Sequence, residues 1–326
     1  MELMEQAAAP TVLPSMPLQE WARTKETLHR YEQIVGKVRL AASPRRNHWW
    51  NVPFHLTGTG LTTRPMGVVD GNPLFTVDFD FVRHLLVAST EEGRTAAFPL
   101  AGHSVASFYR ELLSVLDGLG VHVEIAHPYP YDLPDAGRPF AEDTEHAAYD
   151  PSWANRYWRV LGRVGEILEE FAAGYSGKTS PVHHFWHTFD IAVTRIGGVP
   201  VHQPEEAGPL IREAYSEEVV SFGFWFGDDR VPEPAFYSYT APEPEGLDTA
   251  PLPEGAVWAE SGHGHLALLP YGRAREADDP RAAVLAFYQA AYEAGAPLLG
   301  WDTDRLACPG GVTDPHDKLR SDWWQM

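Results

Sequence analysis

The chain has 326 residues, 44% of them hydrophobic, with a formal net charge of −20 and a pI near 5.1. That length holds one large domain or two ordinary ones, and the acidic balance argues against nucleic acid and an anionic membrane surface as partners. A single cysteine, Cys308, rules out an intrachain disulfide and a thiolate zinc site; with no apolar run near the ~20 residues of a membrane span and no basic signal region at the N-terminus, a cytoplasmic location is expected.

Residues 1–16 are Ala-rich and without periodicity, which predicts a disordered segment. Trp21, Leu28, Tyr31 and Val35 then recur at helical spacing, and Gly36 is read as the end of that helix. Strand-like runs follow at 49–57, 74–79 and 84–88, the first two separated by the turn Asp70-Gly71-Asn72-Pro73. A helix at 105–119 closes at Gly120, and residues 121–125 alternate as a short strand. Residues 127–150, rich in Pro and Asp, read as a linker. A helix at 157–171 opens the second half, with strands at 185–196, 219–226, 235–240 and 266–269. The last helix, 282–294, is opened by Asp278-Asp279-Pro280.

This order repeats. Gly36-Lys37 and Gly177-Lys178 each precede a His beside Trp in the first strand of a half, and Phe108-Tyr109 matches Phe287-Tyr288 in the closing helices. The reading is an α+β fold of two αβββα-like repeats, a pseudo-twofold duplication over 17–126 and 151–302 with a tail at 303–326. Strands joined by hairpin-length connections imply a mainly antiparallel sheet with helices on one face.

The segment Ser180-Pro181-Val182-His183-His184-Phe185-Trp186-His187-Thr188-Phe189-Asp190 carries the densest chemistry. Read as one strand from 182 to 194, it puts His183, Phe185, His187, Phe189, Ile191 and Val193 on one face, and His184, Trp186, Thr188, Asp190, Ala192 and Thr194 on the other. His183 and His187 would stand ~13 Å apart, too far to share a metal. Asp190 lies among apolar residues, where an unpaired carboxylate is costly, so it requires a partner; Arg195 and Lys178 are the candidates. Glu217 reads as solvent-facing, and Glu218 as the better candidate for a buried carboxylate. His263-Gly264-His265 has strand chelate spacing, although its glycines fit a loop equally well. Ala172 to Thr179 matches a permissive phosphate-loop pattern, but with the helix before the loop and a strand after it, the reverse of what phosphate binding needs. A nucleotide is therefore not expected.

Several stretches together carry a family likeness: Gln33-Ile34-Val35-Gly36-Lys37-Val38-Arg39-Leu40, Asn47-His48-Trp49-Trp50, Asp78-Phe79-Asp80-Phe81, Tyr149-Asp150-Pro151, Gly177-Lys178-Thr179-Ser180-Pro181-Val182-His183, Phe189-Asp190-Ile191-Ala192-Val193-Thr194-Arg195, Arg212-Glu213-Ala214-Tyr215-Ser216 and Phe236-Tyr237-Ser238-Tyr239. Over 17–301 the chain resembles the uncharacterised bacterial family called domain of unknown function 5996. The resemblance implies no activity, cofactor or substrate. In the family pattern His often stands where this chain has Asn51 and Glu217, and Gly where it has His187, which argues against a metal site built on positions 51 or 217.

Two functions are weighed. One is a small-molecule enzyme with a His/carboxylate site in an aromatic-lined cleft between the halves. Its catalytic candidates are His183, His48, Asp190 and Glu218; its ligand-binding candidates are Lys178, Ser180, Trp186, Arg195, Tyr237 and Tyr239. His183 and His48 are also the candidate ligands of a divalent metal, iron, manganese or zinc. The other is a non-catalytic binding or assembly module, a homodimer included, in which the 11 Trp and 13 Tyr line a pocket or an interface. The adjacent Trp323-Trp324 near the end is expected to dock on the chain's own domain.

Overall fold

The computed structural model describes residues 13–67, 71–228, 231–262 and 264–313. Most of the expected N-terminal disordered segment, Asp70 of the first turn, His263 and the Trp323-Trp324 tail lie outside the described residues.

Helix α1 spans Leu18–Ala42 and buries Trp21, Leu28, Tyr31 and Val35 as their spacing predicts. It does not stop at Gly36. The Trp186 indole lies on that glycine, where a Cβ would sit 2.1 Å from a ring carbon. The glycine makes room for a packed ring, and the helix runs on for six residues, to Ala42. His48 and Trp49 have φ of 54° and 59°, which breaks the expected strand at 49–57 into a short 3-10 turn, Asn47–Trp49, and a brief β1, His55–Leu56. Then follow β2 (Gly60–Thr62), β3 (Phe75–Asp80), β4 (Leu85–Thr90) and β5 (Thr95–Pro99). They pair in sequential order as an antiparallel meander. Helix α2, Val105–Gly118, starts where the Ser104 hydroxyl accepts from the Ser107 N–H at 3.2 Å. Residues 121–125 are not in a strand.

Helix α3, Pro151–Ala173, has Pro at its first position, and the Asp150 carboxylate accepts from the Ser152 and Trp153 N–H groups at 2.8 and 3.1 Å. A second sheet holds β6 (His183–Phe185), β7 (Asp190–Pro200), β8 (Glu217–Trp225), β9 (Ala235–Ala241), β10 (Val257–Ser261) and β11 (Gly264–Pro270), in the order β10-β11-β9-β8-β7-β6, all antiparallel. Short helix α4 (Pro209–Ala214) precedes β8. Helices α5 (Tyr271–Glu276), α6 (Pro280–Gly295) and α7 (Thr303–Leu306) complete the order. Asp279 caps α6 through the Ala282 N–H at 3.0 Å, as its sequence context implies.

The fold is α+β, but with two antiparallel sheets of five and six strands rather than one. The halves differ in strand number and order, and this architecture does not establish the duplication read from the sequence. The sheets meet at an isolated bridge between Phe54 and His184. Beside it, Tyr157 donates to Glu32 at 2.9 Å, and Glu32 pairs with the His184 ring at 2.6 Å; all three residues are fully buried. This triad ties α1, α3 and β6 together. Helices α3 and α6 pack on one face of the six-stranded sheet, where Phe171 meets Phe222 edge-on at 4.6 Å and Tyr288 donates to the Gly223 carbonyl at 2.9 Å. Among the described residues no helix is long and apolar enough to cross a membrane.

Candidate functional site on the outer face of the six-stranded sheet

The face turned away from α3 and α6 collects most of the polar and aromatic residues singled out above. The stretch 182–194 is a hairpin and not one strand. Residues 186–189 turn, Phe189 takes φ of 61°, and its N–H donates to the Phe185 carbonyl at 2.7 Å. In the resulting register His183 lies opposite Ala192 and Phe185 opposite Asp190. His183, Phe185, Asp190 and Ala192 therefore share the outer face, and His184 goes with Ile191 to the helix side. This replaces the grouping expected for a continuous strand.

Asp190 is buried, and its partners are neither Arg195 nor Lys178. Tyr237 donates to one carboxylate oxygen at 2.5 Å, and Thr188 donates to the other. Tyr237 reaches across β8 because residue 223 is Gly; a Cβ there would lie 2.5 Å from the phenol. Burial pushes the Asp190 carboxyl above its ordinary value, against the two hydrogen bonds. Tyr237 stacks on Tyr239 with centroids 6.2 Å apart and planes 7° apart, and Tyr215 donates to the Tyr239 hydroxyl at 3.2 Å. Burial raises all three phenols, so they stay protonated. Ser221 and Thr194 share a hydrogen bond of 2.9 Å in the same row. Phe185, Trp225, Tyr239 and Leu266 remain half-exposed around this network, forming an apolar, aromatic wall.

Alternation along β8 puts Glu217 on the face of Ser221, Gly223 and Trp225. There it meets His48 and Lys178. The Lys178 ammonium bonds the Glu217 carboxylate and lies 2.8 Å from His48 Nε2, which is 3.2 Å from Glu217. His48 Nε2 thus lies between an ammonium, which only donates, and a carboxylate, which only accepts, while Nδ1 faces the Ala214 carbonyl at 3.4 Å. Burial pushes the Glu217 carboxyl up, but Lys178 and His48 outweigh it and hold it below its ordinary value. Glu213 accepts from the His48 backbone N–H at 2.9 Å, fixing the left-handed turn that aims the ring. Trp50 flanks it, 5.0 Å from the imidazole and 5.7 Å from the ammonium.

The remaining candidates lie elsewhere or are engaged in packing. Arg195 faces the helices, with its guanidinium 3.9 Å from the Phe171 ring centre and 4.3 Å from that of Tyr292. Glu218 turns to the same side and accepts from the Trp301 indole at 2.8 Å. The Trp186 indole donates to the Val52 carbonyl at 2.9 Å, and its ring is buried. Ser180 accepts from the Thr194 N–H at 2.9 Å, holding the strand edge. His265 pairs with Glu243 at 2.7 Å. His48 and His183 do not touch: the His183 ring neighbours His55 and Phe185. Among the described residues no trio of metal-ligand side chains forms around either; the trio close enough for an ion is Asp135, Asp143 and His146, and there Arg30 binds Asp135 at 2.5 Å.

Glu217, Tyr215, Thr188 and Ser221 are the site residues that the sequence reading did not select. Counting back by twos from Trp225 would have put Glu217 and Ser221 on its face. Tyr215 and Thr188 come from turns, and nothing in their spacing marks them. Two shallow depressions of about 430 and 410 Å³, one beside Leu113, Val121 and Glu124 and the other beside His84, Asn155 and Arg156, include none of these residues.

No curated protein and no solved structure matches the chain. The model of the family described as "Family of unknown function (DUF5996)" matches residues 13–308, nearly the whole chain, and the chain belongs to that family.

Proposed function

We propose that the protein is an enzyme acting on an apolar or aromatic small molecule at the outer face of the six-stranded sheet, with His48 as the proton-transferring group. The observation that carries this reading is the His48–Lys178–Glu217 cluster. An imidazole held between an ammonium and a carboxylate is placed to exchange a proton with a bound substrate. The Lys178 side chain is 36% exposed, so its charge can turn to meet negative charge developing on a substrate. Two consecutive left-handed residues, His48 and Trp49, hold the ring, and such strain is concentrated at functional sites. The Tyr215, Tyr237 and Tyr239 wall supplies apolar area together with protonated hydroxyls. A cytoplasmic setting suits Cys308, a buried free thiol.

The test is turnover. A metabolite extract is incubated with the protein and with the His48→Asn variant, and followed by mass spectrometry. A compound consumed by the parent and spared by the variant supports the reading; equal depletion by both, or none by either, contradicts it. One observation favours a binding module instead: both oxygens of Asp190 are engaged by Tyr237 and Thr188. In that case a compound is retained by the protein and recovered unchanged.

A further inference from the structure

The search for unpaired buried polar atoms leads to a place separate from His48. Arg39 lies near the end of α1, His55 on β1, Arg64 just after β2 and His183 on β6. Arg39 and His183 are 5% and 1% exposed. Arg39 Nε, His55 Nε2 and both ring nitrogens of His183 are buried without a hydrogen-bond partner. The His55 and His183 rings stand edge to face, with centroids 6.1 Å apart. Burial, then Arg64 and Arg39, hold His55 low, to about 4; burial, then His55 and Arg39, hold His183 well below its ordinary value. The guanidinium groups acting on these rings are Arg64 and Arg39 at His55, and Arg39 at His183. Asp78 is the carboxylate in the same cross-strand row as His55 and Thr62, and Thr62 and Thr76 bind it.

Buried cationic and polar groups without partners are costly, and natural folds retain them where something pairs with them. A metal ion does not suit this place, because two guanidinium groups would repel it. An oxyanion suits it: the Arg fork donates bidentately to phosphate or carboxylate, and each neutral imidazole adds one N–H. Donors from four separate parts of the chain beside two guanidinium charges fit a tetrahedral dianion better than a planar monoanion. Arg64 is exposed and His55 half-buried, which leaves the cluster open to solvent on their side.

We propose that Arg39, His55, Arg64 and His183 form a binding site for a phosphate group. It is independent of the reaction proposed at His48. The test is titration calorimetry of the full chain with inorganic phosphate at constant ionic strength, with acetate as the carboxylate arm. Saturable one-to-one binding of phosphate is expected, weakened about tenfold or more in Arg39→Met and in Arg64→Ala, a loss of about 1.4 kcal/mol. Arg64 is exposed, so its variant keeps the fold even if loss of Arg39 disturbs it. Absence of saturable binding, unchanged affinity in Arg64→Ala, or a preference for acetate over phosphate overturns the proposal.

Discussion

Burial sets the protonation of this protein residue by residue. Five imidazoles, His29, His55, His84, His183 and His187, are held below the ordinary value of 6.5, each by burial first; His55 and His187 come to about 4. A ring lowered in the fold binds its proton less tightly there than in the unfolded chain. The stability it carries is complete above about 6.5 and is lost as pH falls toward the folded value. Asp190 works in the opposite sense: its raised carboxyl contributes below 3.8 and loses that contribution as pH rises through its folded value. Asp78 and Glu169 are raised likewise, and the five lowered rings outweigh these three carboxyls. The melting temperature is therefore expected to fall steeply between pH 6.5 and about 4. The unfolding free energy should drop by up to about 1.4 kcal/mol per pH unit for each fully buried ring, and by less for half-buried His55, His84 and His187. A melting temperature flat across that window, measured by calorimetry, would contradict the assignment of neutral buried imidazoles.

Elements are shaped here by contacts that local patterns do not encode. Gly36 has the appearance of a helix stop, yet α1 passes through it because Trp186, 150 positions away, lies on its backbone. Replacing Gly36 with Ala puts a methyl into that ring. Overpacking of this kind costs about 1–3 kcal/mol, to be read from urea unfolding; a loss below the low end of that range would mean the ring is not seated there. The β6–β7 hairpin escaped the sequence for a related reason. Its turn, Trp186–His187–Thr188–Phe189, contains neither Gly nor Pro, and Phe189 supplies the positive φ. A run of β-branched and aromatic residues thus read as one strand, which set His183 and Asp190 on opposite faces when the hairpin puts them on the same one. Where local chemistry decides, the reading was sound. The Asp279-Pro280 start of α6, the 105–119 helix and the strands at 74–79, 84–88, 219–226 and 235–240 all lie on observed elements. The polar site was half legible. His48, Lys178, Asp190, Tyr237 and Tyr239 were selected, and one sheet face accounts for them, whereas Arg195, Glu218 and Trp186 were drawn in by charge or ring type and are engaged in packing on the other side.

At the scale of the whole molecule, the two faces of the six-stranded sheet differ in character. The helix face of the six-stranded sheet is filled by Phe222, Phe224, Phe236 and the aromatic cage around Arg195. Its outer face keeps partly exposed rings beside hydrogen-bonded carboxylates and phenols, and the proposed site rests on that arrangement. The most direct measurement of that claim is crystallographic soaking with a library of small aromatic fragments. The account expects fragments to stack on Trp225, Phe185 and Tyr239, with polar groups reaching the Tyr215 and Tyr237 hydroxyls or the His48–Lys178–Glu217 cluster, and expects Tyr239→Ala to abolish that density. Fragments confined to the depressions beside Leu113 or His84, with the outer face bare, would contradict it.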